Sequence, residues 1–172
     1  MLPSTWPATR PGSLDLVRVM ALDLGSRRIG VAISDNDGRV ATPVTVVERH
    51  KDRPRLHREL AELVAEWEAE LVLLGLPVDL EGKLGPAAQN VLAERDELAA
   101  ALPVPVEVHD ERMTTKIADR ALRERGDLDG RARRQVIDMV AAAVILQDWL
   151  DQRLGGAATD DESDAIEGDP EQ

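Results

Sequence analysis

The sequence predicts an α/β fold built on a five-stranded mixed sheet, three antiparallel strands followed by two parallel ones, with helices on both faces. Three observations carry this reading. Residues 17–35, VRVMALDLGSRRIGVAISD, form two apolar runs around the polar turn Gly25-Ser26-Arg27-Arg28, the pattern of a β-hairpin. Asn36-Asp37-Gly38 is a second hairpin signal leading into a third strand. Beyond residue 52 the apolar period changes from strand to helix, and helical stretches then alternate with short apolar runs, as in crossover units that feed a parallel sheet.

Taken in order, residues 17–24 are nearly all apolar, as suits a central strand buried on both faces. Residues 29–34 resume the strand pattern, and 39–47 make a third strand whose Pro43 marks an edge or a bulge. Asp52 can cap a helix whose first turn tolerates Pro54, with Leu56, Leu60, Leu63, Val64 and Trp67 at helical spacing. The run 71–75 reads as a buried parallel strand, and the loop PVDLEGKLG leads to a second helix over 86–102. Residues 104–108 form the fifth strand. Thr114 or Thr115 can cap a third helix ending at Gly126, and a fourth runs from Arg131 to about Leu154. The predicted order is βββαβαβαα. The stretch 1–16, with three Pro and no periodicity, reads as a disordered extension, 17–154 as the folded domain, and 155–172 as a disordered acidic tail.

Composition narrows the function. A chain of 172 residues is one domain's worth. It has no cysteine, which excludes disulfides and thiolate metal sites. No apolar run is long enough to span a membrane and no signal-peptide core opens the chain, so a cytoplasmic protein with no membrane partner is expected. Three Trp with no Tyr or Phe leave little for base stacking. The net charge of −12 argues against a nucleic-acid partner until its distribution is considered. Residues 155–172 hold seven acids and no base; taking those from −12 leaves −5 for the rest. Within that body, 112–134 carries eight Lys or Arg against four acids, and 49–58 is a second basic cluster. The body is polarised, with working-face candidates that are basic.

Three acids sit on three different elements. Asp23 lies near the end of the most apolar strand, where a charge is costly unless it is paired, binds metal or caps the turn. Glu111 lies at the carboxyl end of the fifth strand, where ligands bind in open α/β sheets. Asp138 falls in the middle of the helical stripe Ala141, Ala142, Ile145 and Trp149, so it points into a packing contact and needs an Arg or a metal ion. Carboxylates converging from these elements would repel one another unless cations sat between them. Hard oxygen ligands in that number suit Mg²⁺ or Mn²⁺, and two such ions make the arrangement used for phosphodiester cleavage.

At this point VMALDLGSRRIGVAISD, GLPVDLEGKLGPAA, DERMTT and IDMVAAAVILQ resemble, in order, the motifs of the YqgF (RuvX) family. These are small bacterial RNase H-like proteins described as pre-16S rRNA nucleases and as Holliday junction resolvases. The resemblance covers residues 17 to about 154; the Pro-rich start and the acidic tail lie outside it. It implies an RNase H-like fold and a hydrolase acting on ester bonds, with Asp23, Glu111 and Asp138 as catalytic acids and metal ligands for two Mg²⁺ or Mn²⁺ ions. The fourth strand ends in Gly75-Leu76-Pro77 with no acid, so the second ligand is Glu111 or its neighbour Asp110. Arg27 and Arg28 in the first turn, with Arg112, Thr114, Thr115, Lys116 and Arg120 around DERMTT, are the candidate nucleic-acid-binding residues. The implied partner is structured RNA, pre-16S rRNA processed at its 5′ end, met by a monomer or homodimer. The alternatives are a resolvase of branched DNA and a non-catalytic RNA-binding factor in ribosome assembly or transcription. An actin- or Hsp70-like ATPase shares the DLG-plus-hairpin opening but needs two such domains, and this length supplies one.

Overall fold

Asp23 is carried by the middle strand of five. The computed structural model of the chain describes residues 17–78, 82–110 and 130–159; stretch 1–16, the end of the acidic tail and the helix expected before Gly126 lie outside them. The strands are β1 (Val19–Leu24), β2 (Arg28–Ser34), β3 (Ala41–Glu48), β4 (Leu71–Leu76) and β5 (Val106–Asp110). The helices among the described residues are α1 (Arg53–Glu66), α2 (Pro86–Ala101) and α3 (Gly130–Thr159). The sheet order is β3-β2-β1-β4-β5. β1 pairs antiparallel with β2 and parallel with β4, and β4 is parallel to β5. This is the mixed five-stranded sheet that the periodicities predict.

The apolar residues of β1 alternate between two cores, as a strand buried on both faces requires. Met20 and Leu22 pack with Ile29, Val31, Val72 and Leu74 beneath α1 and α2, through Leu56, Leu60, Val64 and Leu98. Val19 and Ala21 face the other way, with Ala32, Leu71 and Leu73, against Ala142, Ile145, Leu146 and Leu150 of α3. Each fully buried Leu among these contributes about 1.5–3 kcal/mol. Pro43 lies on an edge strand, opposite Ala32 where the β2–β3 register shifts. A missing N–H is tolerated there.

Element ends differ slightly from the sequence pattern. β3 opens at Ala41 rather than Arg39, because Asp35 Oδ1 accepts from the amides of Arg39 (2.7 Å) and Val40 (3.1 Å) and holds both in the turn. These bonds also lower the Asp35 pKa below its ordinary value. β5 opens at Val106, after a proline with no donor, although the Pro105 carbonyl still accepts from Val72 at 2.9 Å. α3 continues past Leu154 through Gly155 and Gly156 to Thr159. Each glycine costs about 1 kcal/mol relative to Ala, but no proline interrupts the chain before residue 170. The N-terminus of α1 forms as expected: Asp52 accepts from the Arg55 amide at 3.2 Å, and Pro54 sits in the first turn.

Candidate active site

Side chains alternate along β1, so Asp23 continues the row of Val19 and Ala21 and faces α3. Its neighbour directly across the antiparallel pair is Gly30 of β2. On the other side, one residue beyond the Leu22–Leu74 pair, the parallel register brings Gly75 of β4 beside it. Neither flanking position carries a side chain. Gly30 also permits a close backbone contact, since a Cβ there would overlap the Asp138 carbonyl oxygen. Only glycine lets the turn of α3 that carries Asp138 lie against β2. A glycine inside a buried strand signals such close approach, and the sequence carried that signal in Ile29-Gly30-Val31.

The electrostatics follow from this placement. Burial, and secondarily the negative charge of Asp138, raise the Asp23 pKa to about 6 from an ordinary 3.8. Asp138 is compensated differently. Arg28 Nε donates to Asp138 Oδ2 at 2.7 Å, and both side chains are largely withdrawn from water, at 19% and 24% exposure. Arg28, expected to hold nucleic acid, is thus the partner of a candidate catalytic acid. Arg27 is exposed at the tip of the same turn. Across the sheet, Gly75 pairs with His109 of β5. His109 is buried on the α3 side and its Nε2 lies 2.7 Å from Asp148 Oδ2, which also accepts from Gln152 at 2.8 Å. By alternation Asp110 belongs to the opposite face from His109 and Asp23.

A second polar network fixes the hairpin turn from the α1/α2 side. Arg49 Nε donates to the Gly25 carbonyl at 2.6 Å, while its two Nη groups hold Glu94 of α2 at 2.9 and 3.0 Å. Arg53 adds a bond to Glu94 and an ion pair to Glu97. Gly25 is itself confined, since a Cβ there would meet the Arg28 carbonyl oxygen at 2.6 Å. Neither Arg49–Glu94 nor His109–Asp148 was legible in the sequence, because the partners lie 45 and 39 residues apart.

Among the described residues no three His, Cys, Asp or Glu side chains form a metal-binding group. Glu111, Arg112, Thr114, Thr115, Lys116 and Arg120 lie outside those residues. What the described chain brings together is Asp23, Asp138 and Arg28. The donor set fits a hard divalent cation: two carboxylates from different elements, one of them raised in pKa by burial and by the other's charge. No described helix is long and apolar enough to cross a membrane.

The family model described as "RuvX: Holliday junction resolvase" matches residues 17–152. A relative from Mycobacterium sp. (strain KMS), named "Putative pre-16S rRNA nuclease", is 48% identical over 152 residues, covering 87% of this chain and 89% of its own. One of the same name from Chloroflexus aurantiacus (strain ATCC 29366 / DSM 635 / J-10-fl) is 44% identical over 135 residues, covering 78% of this chain and 87% of its own. Among solved structures, Thermus thermophilus RuvC in complex with a Holliday junction substrate superposes with a TM-score of 0.50. At 18% identity, covering 81% of this chain and 96% of that one, the likeness is one of fold.

Proposed function

Because the chain belongs to the RuvX family, we propose that it is a metal-dependent nuclease that hydrolyses RNA phosphodiesters and processes the 5′ end of pre-16S rRNA in ribosome biogenesis. The observation that carries the reading is Asp23: an acid on a buried central strand, flanked by glycines, with its pKa raised beside a second acid. Such an acid costs stability, and cation binding is the use that repays it. Asp23 and Asp138 would hold Mg²⁺ or Mn²⁺, two ions when the acid of the DERMTT segment, Glu111, joins them. When bound there, the metal supplies an activated water and neutralises charge on the reacting phosphate. The chain's own work is positional. Gly30 sets the separation of β2 and α3, Arg28 orients Asp138, and the Arg49–Glu94 pair fixes the turn that presents Arg27. Arg27, Arg112, Thr114, Thr115, Lys116 and Arg120 serve as phosphate contacts, so the substrate is read by shape and backbone rather than by stacked bases. The protein acts in the cytoplasm as a monomer or homodimer.

The test compares one purified preparation on precursor 16S rRNA and on a four-way DNA junction, in Mg²⁺ and in EDTA. Mg²⁺-dependent cleavage near the mature 5′ end of the RNA is the expected result. Cleavage of the junction alone would make branched DNA the substrate, as the family description states. Binding of RNA without cleavage of either would make the protein a non-catalytic assembly factor.

A further inference from the structure

We infer that Arg28 is a positioning residue that holds Asp138 in the metal-free site, yields that carboxylate to a divalent cation, and then turns its guanidinium to a substrate phosphate. The inference rests on the nuclease reading above. The Arg28 Nε–Asp138 Oδ2 contact, at 2.7 Å, has the length of a charge-assisted bond. It joins β2 to α3 at the point where Gly30 brings the two backbones together. Among the described residues only Nε is engaged, and none accepts from the two Nη groups. Those groups form a fork that suits phosphate oxygens. Arg28 is also the first residue of β2, directly after the exposed Ser26-Arg27. Its backbone is fixed by pairing with Glu48, while its long side chain can swing toward the turn.

The competition follows from charge alone. A cation held by Asp138 would share that carboxylate with the guanidinium bonded to it at 2.7 Å, and the two positive charges would contend for it. In the free protein Arg28 therefore weakens metal binding while keeping Asp138 in place. An arriving phosphate gives the guanidinium a second anion, so metal and substrate binding become mutually supportive, and by linkage the coupling is reciprocal.

Calorimetric titration with Mg²⁺ alone, on wild type, Arg28→Gln, Arg28→Lys and Asp23→Asn, tests the first half. Arg28→Gln should lower the metal-free Tm yet bind Mg²⁺ roughly tenfold more tightly. Arg28→Lys, which keeps the charge, should stay within about threefold of wild type. A short RNA duplex titrated in Ca²⁺ and in EDTA tests the second half: Arg28→Gln should weaken binding in Ca²⁺ only. Unchanged or weaker Mg²⁺ affinity in Arg28→Gln overturns the inference, as does equal loss of RNA affinity in both conditions. If wild type binds no Mg²⁺, or if Asp23→Asn binds it as well as wild type does, the metal-dependent reading itself falls and takes this inference with it.

Discussion

Asp23 was legible in the sequence as a misplaced charge, because its neighbours in 17–24 are almost uniformly apolar and an acid among them calls for a reason. Its environment was not legible, since Gly30, Asp138 and Arg28 reach it only through folding. The raised pKa has a thermodynamic consequence with a definite sign. The folded state holds the Asp23 proton more tightly than the unfolded chain, so ionisation opposes folding. The contribution of this group to metal-free stability should be full below about pH 3.8 and be lost as pH rises through about 6, by about 3 kcal/mol. Asp23→Asn removes that loss. Urea unfolding in EDTA should find the variant more stable than wild type at pH 8 and equal to it at pH 4; a variant less stable at pH 8 would contradict the electrostatic assignment. Gly30→Ala tests the close approach. Its methyl group must displace the Asp138 carbonyl, which should cost about 1–3 kcal/mol by overpacking and reduce nuclease activity by misplacing Asp138. Thermal unfolding and a cleavage assay read the two effects separately.

At the scale of elements, the periodicities located every described strand and helix, and the misses fell at element ends where single polar or cyclic groups decide. Asp35 withholds Arg39 and Val40 from β3, and Pro105 delays β5. The sequence pattern puts Ala141, Ala142, Ile145 and Trp149 in one stripe on α3, whereas the residues buried there are Ala142, Ile145, Leu146 and Leu150. Asp138 lies one and two turns before Ala142 and Leu146, so it reaches the sheet at the end of the packed face. Leu146→Ala should therefore cost about 2–5 kcal/mol and loosen the helix that carries Asp138. The turn has a comparable tie. Arg49→Lys keeps a charge but loses the two-pronged hold on Glu94 and the bond to Gly25. A loss of about 1–3 kcal/mol is expected, measurable by denaturant midpoint, together with faster hydrogen exchange in the Gly25–Arg28 turn.

For the whole molecule, fold and chemistry could be read in the sequence to different depths. The strand order follows from alternation of periods, which is local information. The acids could be picked out one by one, but whether they meet depends on strand order, register and the crossing of α3, none of which is local. Charge is likewise a property of the whole: the acids beyond residue 159 carry the seven charges that make a polarised body look uniformly acidic. Truncation after Thr159 should tighten RNA binding at low salt and have little effect at high salt, where screening is strong; equal affinities at low salt would show those charges to be inert. The Asp23–Asp138 pair is the proposed hydrolytic centre. It is tested most directly by sequencing the ends produced from precursor 16S rRNA by wild type and Asp23→Asn in Mg²⁺. The expected result is a 5′-phosphate and a 3′-hydroxyl from wild type, and no cleavage by a folded Asp23→Asn. A 2′,3′-cyclic phosphate, or full activity in Asp23→Asn, would contradict it.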